Sequence, residues 1–312
     1  MDEHFHESRG IPKARIAELM RRSDGPALLR FSALLVLSLC GCAFAVHSWG
    51  GPPWQLALSQ VCLGLLCCSL FAAEHETIHS TAFKSPWLNK AAAFLAGVAH
   101  VYPSTAFREL HFAHHRHTHV PGRDPEISLG ANPAPSVVGT IPMYLAFQSG
   151  LPLLLFKLGM LTSGALGMPE FLRARLYPFV RPEVRLRLAL ESLLVLAVYG
   201  ATLLLALRVH PGFWGLLTGQ VVGHCLLATY VSAEHNGLPH NAPVLDCTRS
   251  MRTNRLVKLL MWNMPYHAEH HAYPAVPFHA LPALHRELRE EIRHQDLSHP
   301  EFHLNVLLRR IS

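Results

Sequence analysis

Residues 31–73 read FSALLVLSLCGCAFAVHSWGGPPWQLALSQVCLGLLCCSLFAA, 43 consecutive positions without Asp, Glu, Lys or Arg. A helix rises about 1.5 Å per residue and the hydrocarbon layer of a membrane is about 30 Å thick, so one crossing takes about 20 apolar residues. The stretch therefore predicts two crossings, with Ser48-Trp49-Gly50-Gly51-Pro52-Pro53 as the tight turn between them. A second pair lies at residues 188–207 and 213–233, joined by Arg208-Val209-His210-Pro211-Gly212. Both turns are poor in Lys and Arg. By contrast the N-terminal segment 1–30 (Lys13, Arg15, Arg21, Arg22), the stretch 173–187 and the tail 286–312 are basic. Basic flanks stay on the cytoplasmic side, which predicts a multi-pass membrane protein with both termini there.

Two apolar stretches remain between the pairs. Residues 91–107 are too few to cross and carry His100 and Pro103, so they predict a re-entrant or interfacial helix. Residues 127–156 are long enough, but one crossing would carry the basic 173–187 run outside, and the prolines and Gly150 fit a dipping hairpin better. The expectation is one all-α integral membrane domain over residues 1–312. It has about four transmembrane helices in two hairpins, with re-entrant or interfacial helices and a cytoplasmic cap. Composition agrees: 50% of the 312 residues are hydrophobic and 15% charged, against about 25% charged in soluble domains. The net charge of +6 forms no aromatic-laced basic face, so no nucleic-acid partner is expected. Five of the seven cysteines (Cys40, Cys42, Cys62, Cys67, Cys68) lie in apolar runs and there is no CxxC pair, which argues against a disulfide framework or zinc ribbon.

The 23 histidines nearly equal the 27 Lys and Arg together, and they cluster. Glu74-His75-Glu76-Thr77-Ile78-His79 ends the second span. His111-Phe112-Ala113-His114-His115 and His267-Ala268-Glu269-His270-His271 follow, with His235 just past the last span. Residues at i, i+3 and i+4 share a helix face, so each cluster aims its imidazoles one way. With both hairpins returning to the cytoplasmic side, all four groups reach the same membrane face. Nine imidazoles exceed what one ion can hold, so a dinuclear site is expected, and imidazole alone does not choose among iron, zinc, copper and nickel. Carboxylates beside the ligands are the candidates to orient their N–H groups: Glu76, Glu234 and Glu269 first, then Asp124 and Glu126. His117 and His119 fall off the shared face. His4, His6, His47, His210, His240 and His303 are isolated and read as surface or satisfied residues, while spacing does not decide His100, His224, His279 and His285.

The series HETIH, HFAHH and HAEHH, with a histidine ahead of the last box, resembles the membrane fatty acid desaturase family. The likeness runs from about Glu74 to Leu284 and includes Pro121-Gly122-Arg123-Asp124-Pro125-Glu126, Trp262-Asn263-Met264-Pro265-Tyr266 and Pro274-Ala275-Val276-Pro277-Phe278. It implies two non-haem irons held by His75, His79, His111, His114, His115, His235, His267, His270 and His271, with O2 as co-substrate and two electrons from outside. The first box is HxxxH, unlike the longer box of acyl-CoA desaturases, and the third begins with His, unlike front-end desaturases. No His-Pro-Gly-Gly haem motif is fused, so the resemblance implies a separate donor such as a ferredoxin or cytochrome b5, with its reductase.

An unactivated alkyl C–H bond has no acidic proton, so side-chain acid and base chemistry cannot break it and a redox metal is needed. Desaturation of a fatty acyl or similar alkyl chain in lipid metabolism is the leading expectation. Hydroxylases, carotenoid ketolases or hydroxylases, and decarboxylases that make terminal alkenes share similar boxes. His75-Glu76-Thr77-Ile78-His79 also matches HExxH, so an intramembrane zinc protease with Glu76 as general base is the alternative from another class.

Overall fold

The computed structural model describes residues 11–311, so the isolated His4 and His6 lie outside the described residues. Short α1 (Lys13–Leu19) leads into α2 (Asp24–Ser48) and, after the Gly-Gly-Pro-Pro turn, α3 (Pro53–Ile78). α4 (Pro86–Ala99) and α5 (Ser104–His117) follow, then α6 (Ile141–Gln148), α7 (Leu151–Ala165) and α8 (Glu170–Leu176). The second long pair is α9 (Arg185–Arg208) and α10 (Trp214–His235). Four short helices complete the chain: α11 (Arg255–Leu260), α12 (His267–Ala272), α13 (Leu281–Leu288) and α14 (His299–Leu307). A two-residue hairpin pairing Ser128–Leu129 with Asn132–Pro133 is the only sheet among the described residues.

Four helical segments are long and apolar enough to cross a membrane: Lys13–Ser48, Pro53–Ile78, Pro182–Arg208 and Pro211–His235. They are the two hairpins expected from the sequence. Their outer faces carry an apolar belt: Leu29, Leu37, Leu39, Leu186, Leu190, Leu204 and Leu207 are all exposed. Such a continuous apolar surface is stable against lipid and not against water. Trp54 and Trp87 are exposed at the starts of α3 and α4, where amphipathic rings suit a membrane interface.

α3 is the central helix, packed against α2, α4 and α10. Close approach to α10 depends on small residues, because lipid offers no hydrophobic drive to bring helices together. A Cβ on Gly223 would sit 2.9 Å from both Cβ and Sγ of Cys67. α4 has 14 residues and a length of about 21 Å, too short to cross. α6 and α7 meet at a bend of 59°, a shape that the dipping hairpin expected of the 127–156 stretch shares with a broken span. Gly150 sits at the bend with φ +69°, and a Cβ there would lie 2.3 Å from the backbone of His224 and Cys225 in α10. Only glycine permits both the turn and the approach.

The ends of α3, α5 and α10 gather under a cap of α11–α13. A buried strap at residues 247–251 ties the cap down: Arg249 N donates to Glu234 O (2.9 Å) and Met251 N to Pro265 O (2.8 Å). Trp262 and Asn263 are consecutive left-handed residues (φ 49° and 62°), a conformation costing about 1–2 kcal/mol each. Full burial of Trp262 and donation from Asn263 Nδ2 to Phe278 O (2.9 Å) hold the reversal that turns the chain into α12.

Candidate metal centre

His75 lies in the last turn of α3 and His79 closes that helix. α5 supplies His111, His114 and His115, α10 ends at His235, and α12 supplies His267, His270 and His271. The side chains converge in two groups: His75, His79, His111, His115 and His270 form the first, and His114, His235 and His271 the second. His267 joins the second through its Nε2, 3.0 Å from His235 Nε2. Helix geometry explains the split. At about 100° per residue, position i+4 lies about 40° to one side of i and position i+3 about 60° to the other. On α5 the pair His111 and His115 therefore faces the first group and His114 the second. α12 divides the other way, with His270 facing the first group and His267 and His271 the second. The groups share a wall where the His115 and His271 rings stack at 4.2 Å and 15°.

Within the groups, nitrogens of different rings face one another. Nε2 to Nε2 distances are 2.9 Å for His79–His111, 2.9 Å for His111–His115, 3.2 Å for His115–His270 and 3.3 Å for His114–His271. A first-row ion with bonds of about 2.1 Å sets nitrogens at right angles about 3.0 Å apart, which is this spacing. Both ring nitrogens of His75 are buried with no hydrogen-bond partner among the described residues, and a buried polar atom is seldom left so without a ligand. Burial pushes the pKa of His111, His115, His267 and His271 well below the ordinary value and that of His270 to about 3. The imidazoles are then neutral, with lone pairs free for a metal. These residues fit two metal ions.

The carboxylates rank differently from their sequence order. Asp124 is fully buried, and each of its oxygens lies 3.0 Å from His114 Nδ1. It also accepts from His119 N (2.7 Å) and Glu126 N (2.9 Å). Burial works against a charged His114, but the Asp124 and Glu126 carboxylates override it and hold the pKa up at about 9. In that charged form Nε2 carries a proton too, which a metal ion would displace, while Asp124 keeps the other proton on Nδ1. Glu126 Oε2 lies 3.7 Å from the same nitrogen. Glu76 and Glu234 stand at longer range: Glu76 Oε1 is 3.6 Å from His75 Nδ1 and 3.9 Å from His270 Nδ1, and Glu234 Oε1 is 3.6 Å from His267 Nδ1. The other Glu76 oxygen accepts from Phe278 N at 3.1 Å, tying the first box to the cap.

Glu269 is a correction. It touches no box imidazole; it accepts from Ser250 Oγ and pairs with His285 Nδ1. Lying about 200° from His267 and about 100° from His270 around α12, it points to the opposite face of that helix. It anchors α12 to the strap and to α13, which also accounts for His285. His303 is a satisfied residue, as expected: Nδ1 bonds the Tyr144 hydroxyl (2.7 Å) and Nε2 the Thr229 carbonyl (2.9 Å). His119 is buried against Pro239 O (2.9 Å), its ring 4.4 Å from that of His240. His224 bonds Gln220 O (2.7 Å) and His100 lies 2.5 Å from Glu74.

An apolar cavity of about 240 Å³ opens beside the imidazoles. His75, His111 and His267 form one end of its lining, and Phe71, Phe107, Leu153, Phe156, Leu227 and Val231 much of the rest. Lys157 and Tyr102 also line it. Sequence reading gave neither a role. The available signal was that Lys157 is the only charged residue between Glu126 and Glu170.

The model of the family described as "Fatty acid desaturase" matches residues 51–303 of the chain. That range spans the turn before α3, all nine imidazoles and most of α14. No curated protein matches the chain.

Proposed function

The chain belongs to the fatty acid desaturase family, and from that premise we propose that it is a membrane-bound non-haem di-iron oxidase that removes two hydrogens from a fatty acyl or similar alkyl chain. The observation that carries this reading is the juxtaposition of two imidazole groups with an apolar cavity: His75 and His111 belong to both, and His267 lines the cavity while its Nε2 meets that of His235. Two irons held by the nine histidines would supply the oxygen activation that an unactivated C–H bond requires.

The protein's own groups do the rest. Asp124 and, more distantly, Glu126 fix His114; Glu76 faces His75 and His270; Glu234 faces His267. Phe71, Phe107 and Phe156 wall the cavity, hold a chain by apolar contact and exclude water from the reacting carbon. O2 is the co-substrate, and electrons come from a separate donor such as a ferredoxin or cytochrome b5, with its reductase. Basic N-terminal and C-terminal segments support a cytoplasmic side for the imidazole face.

The HExxH zinc-protease reading fits less well. A catalytic zinc takes three protein ligands and keeps one position open, whereas His75 and His79 share their group with His111, His115 and His270. Lipid profiling of a host making the protein, against a His271→Ala control, tests the proposal. New double bonds are the expected result. Hydroxylated or chain-shortened products would move the enzyme to a neighbouring chemistry, and an unchanged profile with zinc in place of iron would overturn it.

A further inference from the structure

The cavity wall holds a polar group that oxidation at the metal end does not use. Lys157 on α7 is 1% exposed and Tyr102 3%. Lys157 Nζ makes its one hydrogen bond among the described residues with His100 Nδ1 (3.1 Å). His100 Nε2 lies 2.5 Å from Glu74 Oε2, and both residues are fully buried. The ammonium donates to Nδ1, and His100 stands between one basic and one acidic group, so the set is formally neutral. An ammonium carries three N–H donors, so two remain beside the cavity. The Tyr102 hydroxyl is buried with no hydrogen-bond partner among the described residues, and Lys157 Nζ sits 5.2 Å from the centre of its ring. Burial pushes the phenol pKa well above its ordinary value, which keeps the hydroxyl a donor.

The position of this group along the cavity is set by α3. Lys157 Nζ is 5.7 Å from the centre of the Phe71 ring. Phe71 precedes His75 by four residues, about 6 Å toward the membrane interior. The donors therefore lie on the membrane side of the cavity, away from the imidazoles, where an ordinary acyl chain would present only methylenes or its methyl end.

We propose that Lys157 and Tyr102 form an oxygen-recognition subsite, so that the substrate is an alkyl chain bearing a neutral oxygen, a carbonyl or hydroxyl, near the end that enters deepest. The inference rests on reading the cavity as the alkyl-chain site. A neutral acceptor satisfies the spare donors and leaves the formally neutral Lys157–His100–Glu74 set as it is, whereas a carboxylate would add an uncompensated buried charge.

The test is equilibrium binding of radiolabelled octadecan-1-ol, octadecane and octadecanoate to the full-length protein in nanodiscs, corrected for empty nanodiscs. The alcohol is expected to bind about tenfold or more tightly than the alkane. Lys157→Met should bring the alcohol down to the alkane's affinity and leave the alkane unchanged. Tyr102→Phe, which keeps the ring, should weaken the alcohol alone by severalfold and serves if Lys157→Met does not fold. Equal binding of alcohol and alkane, equal weakening of all ligands by both variants, or tightest binding of octadecanoate would overturn the proposal. None of these readouts needs turnover. Iron content and product formation in the wild type, measured separately, decide the oxidase reading without touching this one.

Discussion

Asp124→Asn is the sharpest single perturbation of the metal centre, because no orientation of an amide satisfies the site. One Asp124 oxygen accepts from Glu126 N (2.9 Å), the other from His119 N (2.7 Å), and both lie 3.0 Å from His114 Nδ1. Whichever position becomes NH2 faces a backbone N–H, donor against donor, in a fully buried site. An unmet buried donor costs about 1–3 kcal/mol, and His114 loses the charged acceptor that fixes its tautomer. Removing a carboxylate behind a metal-bound histidine typically weakens binding by about 10–100-fold, or about 1.4–2.8 kcal/mol. The loss should fall on the second group, which holds His114, and spare the first. The assay is iron retained per chain during titration with a chelator. The variant should surrender one iron at about 10–100-fold lower chelator than the wild type and the other at the wild-type midpoint. Two irons leaving together at the wild-type midpoint would refute the role given to Asp124. Two irons leaving together but earlier would refute the separation into two groups.

Other substitutions separate ligands from supports. His115→Ala and His271→Ala should each abolish product formation while the protein still accumulates in membranes; normal activity in either would remove that residue from the ligand set. His240→Ala, at an exposed position, should leave iron content and activity near wild type. His303→Ala should keep iron and chemistry but lower stability by about 1–3 kcal/mol, because it deletes the two hydrogen bonds that hold α14 to Tyr144 and Thr229, read as a lower midpoint in detergent unfolding. Gly223→Leu should cost at least about 1–3 kcal/mol of packing against Cys67, seen as reduced membrane accumulation; wild-type levels would show that α3 and α10 do not need this approach.

Much of the architecture was legible because lipid imposes a simple length rule. The 43 uncharged residues at 31–73 and the pair at 188–233 became α2, α3, α9 and α10, and the short 91–107 stretch became the end of α4, a turn and the start of α5, none of them long enough to span. The i, i+3, i+4 spacing placed imidazoles on one side of α5 and α12, but periodicity gives only the phase on a helix. It does not say which neighbour each ring meets, so the division of His114 from His111 and His115 required the packed structure. Carboxylate partners were harder still. Asp124 reaches His114 because residues 118–126 fold back in a turn that includes Gly122 at φ +78°, a tertiary event invisible to spacing. Glu269 is adjacent to His270 in sequence yet on the far face of α12. Lys157 was hidden differently: one charge in an apolar run reads as an imperfection until His100 and Glu74 arrive from other helices to meet it.

The proposed function stands or falls on nine histidines holding two irons beside an alkyl-chain cavity. Metal analysis of the purified full-length protein tests it most directly, with iron and zinc counted per chain in the wild type and in His271→Ala. Two irons and no stoichiometric zinc are expected in the wild type, falling toward one iron in the variant. One zinc without iron, or a metal content indifferent to His271, would contradict it.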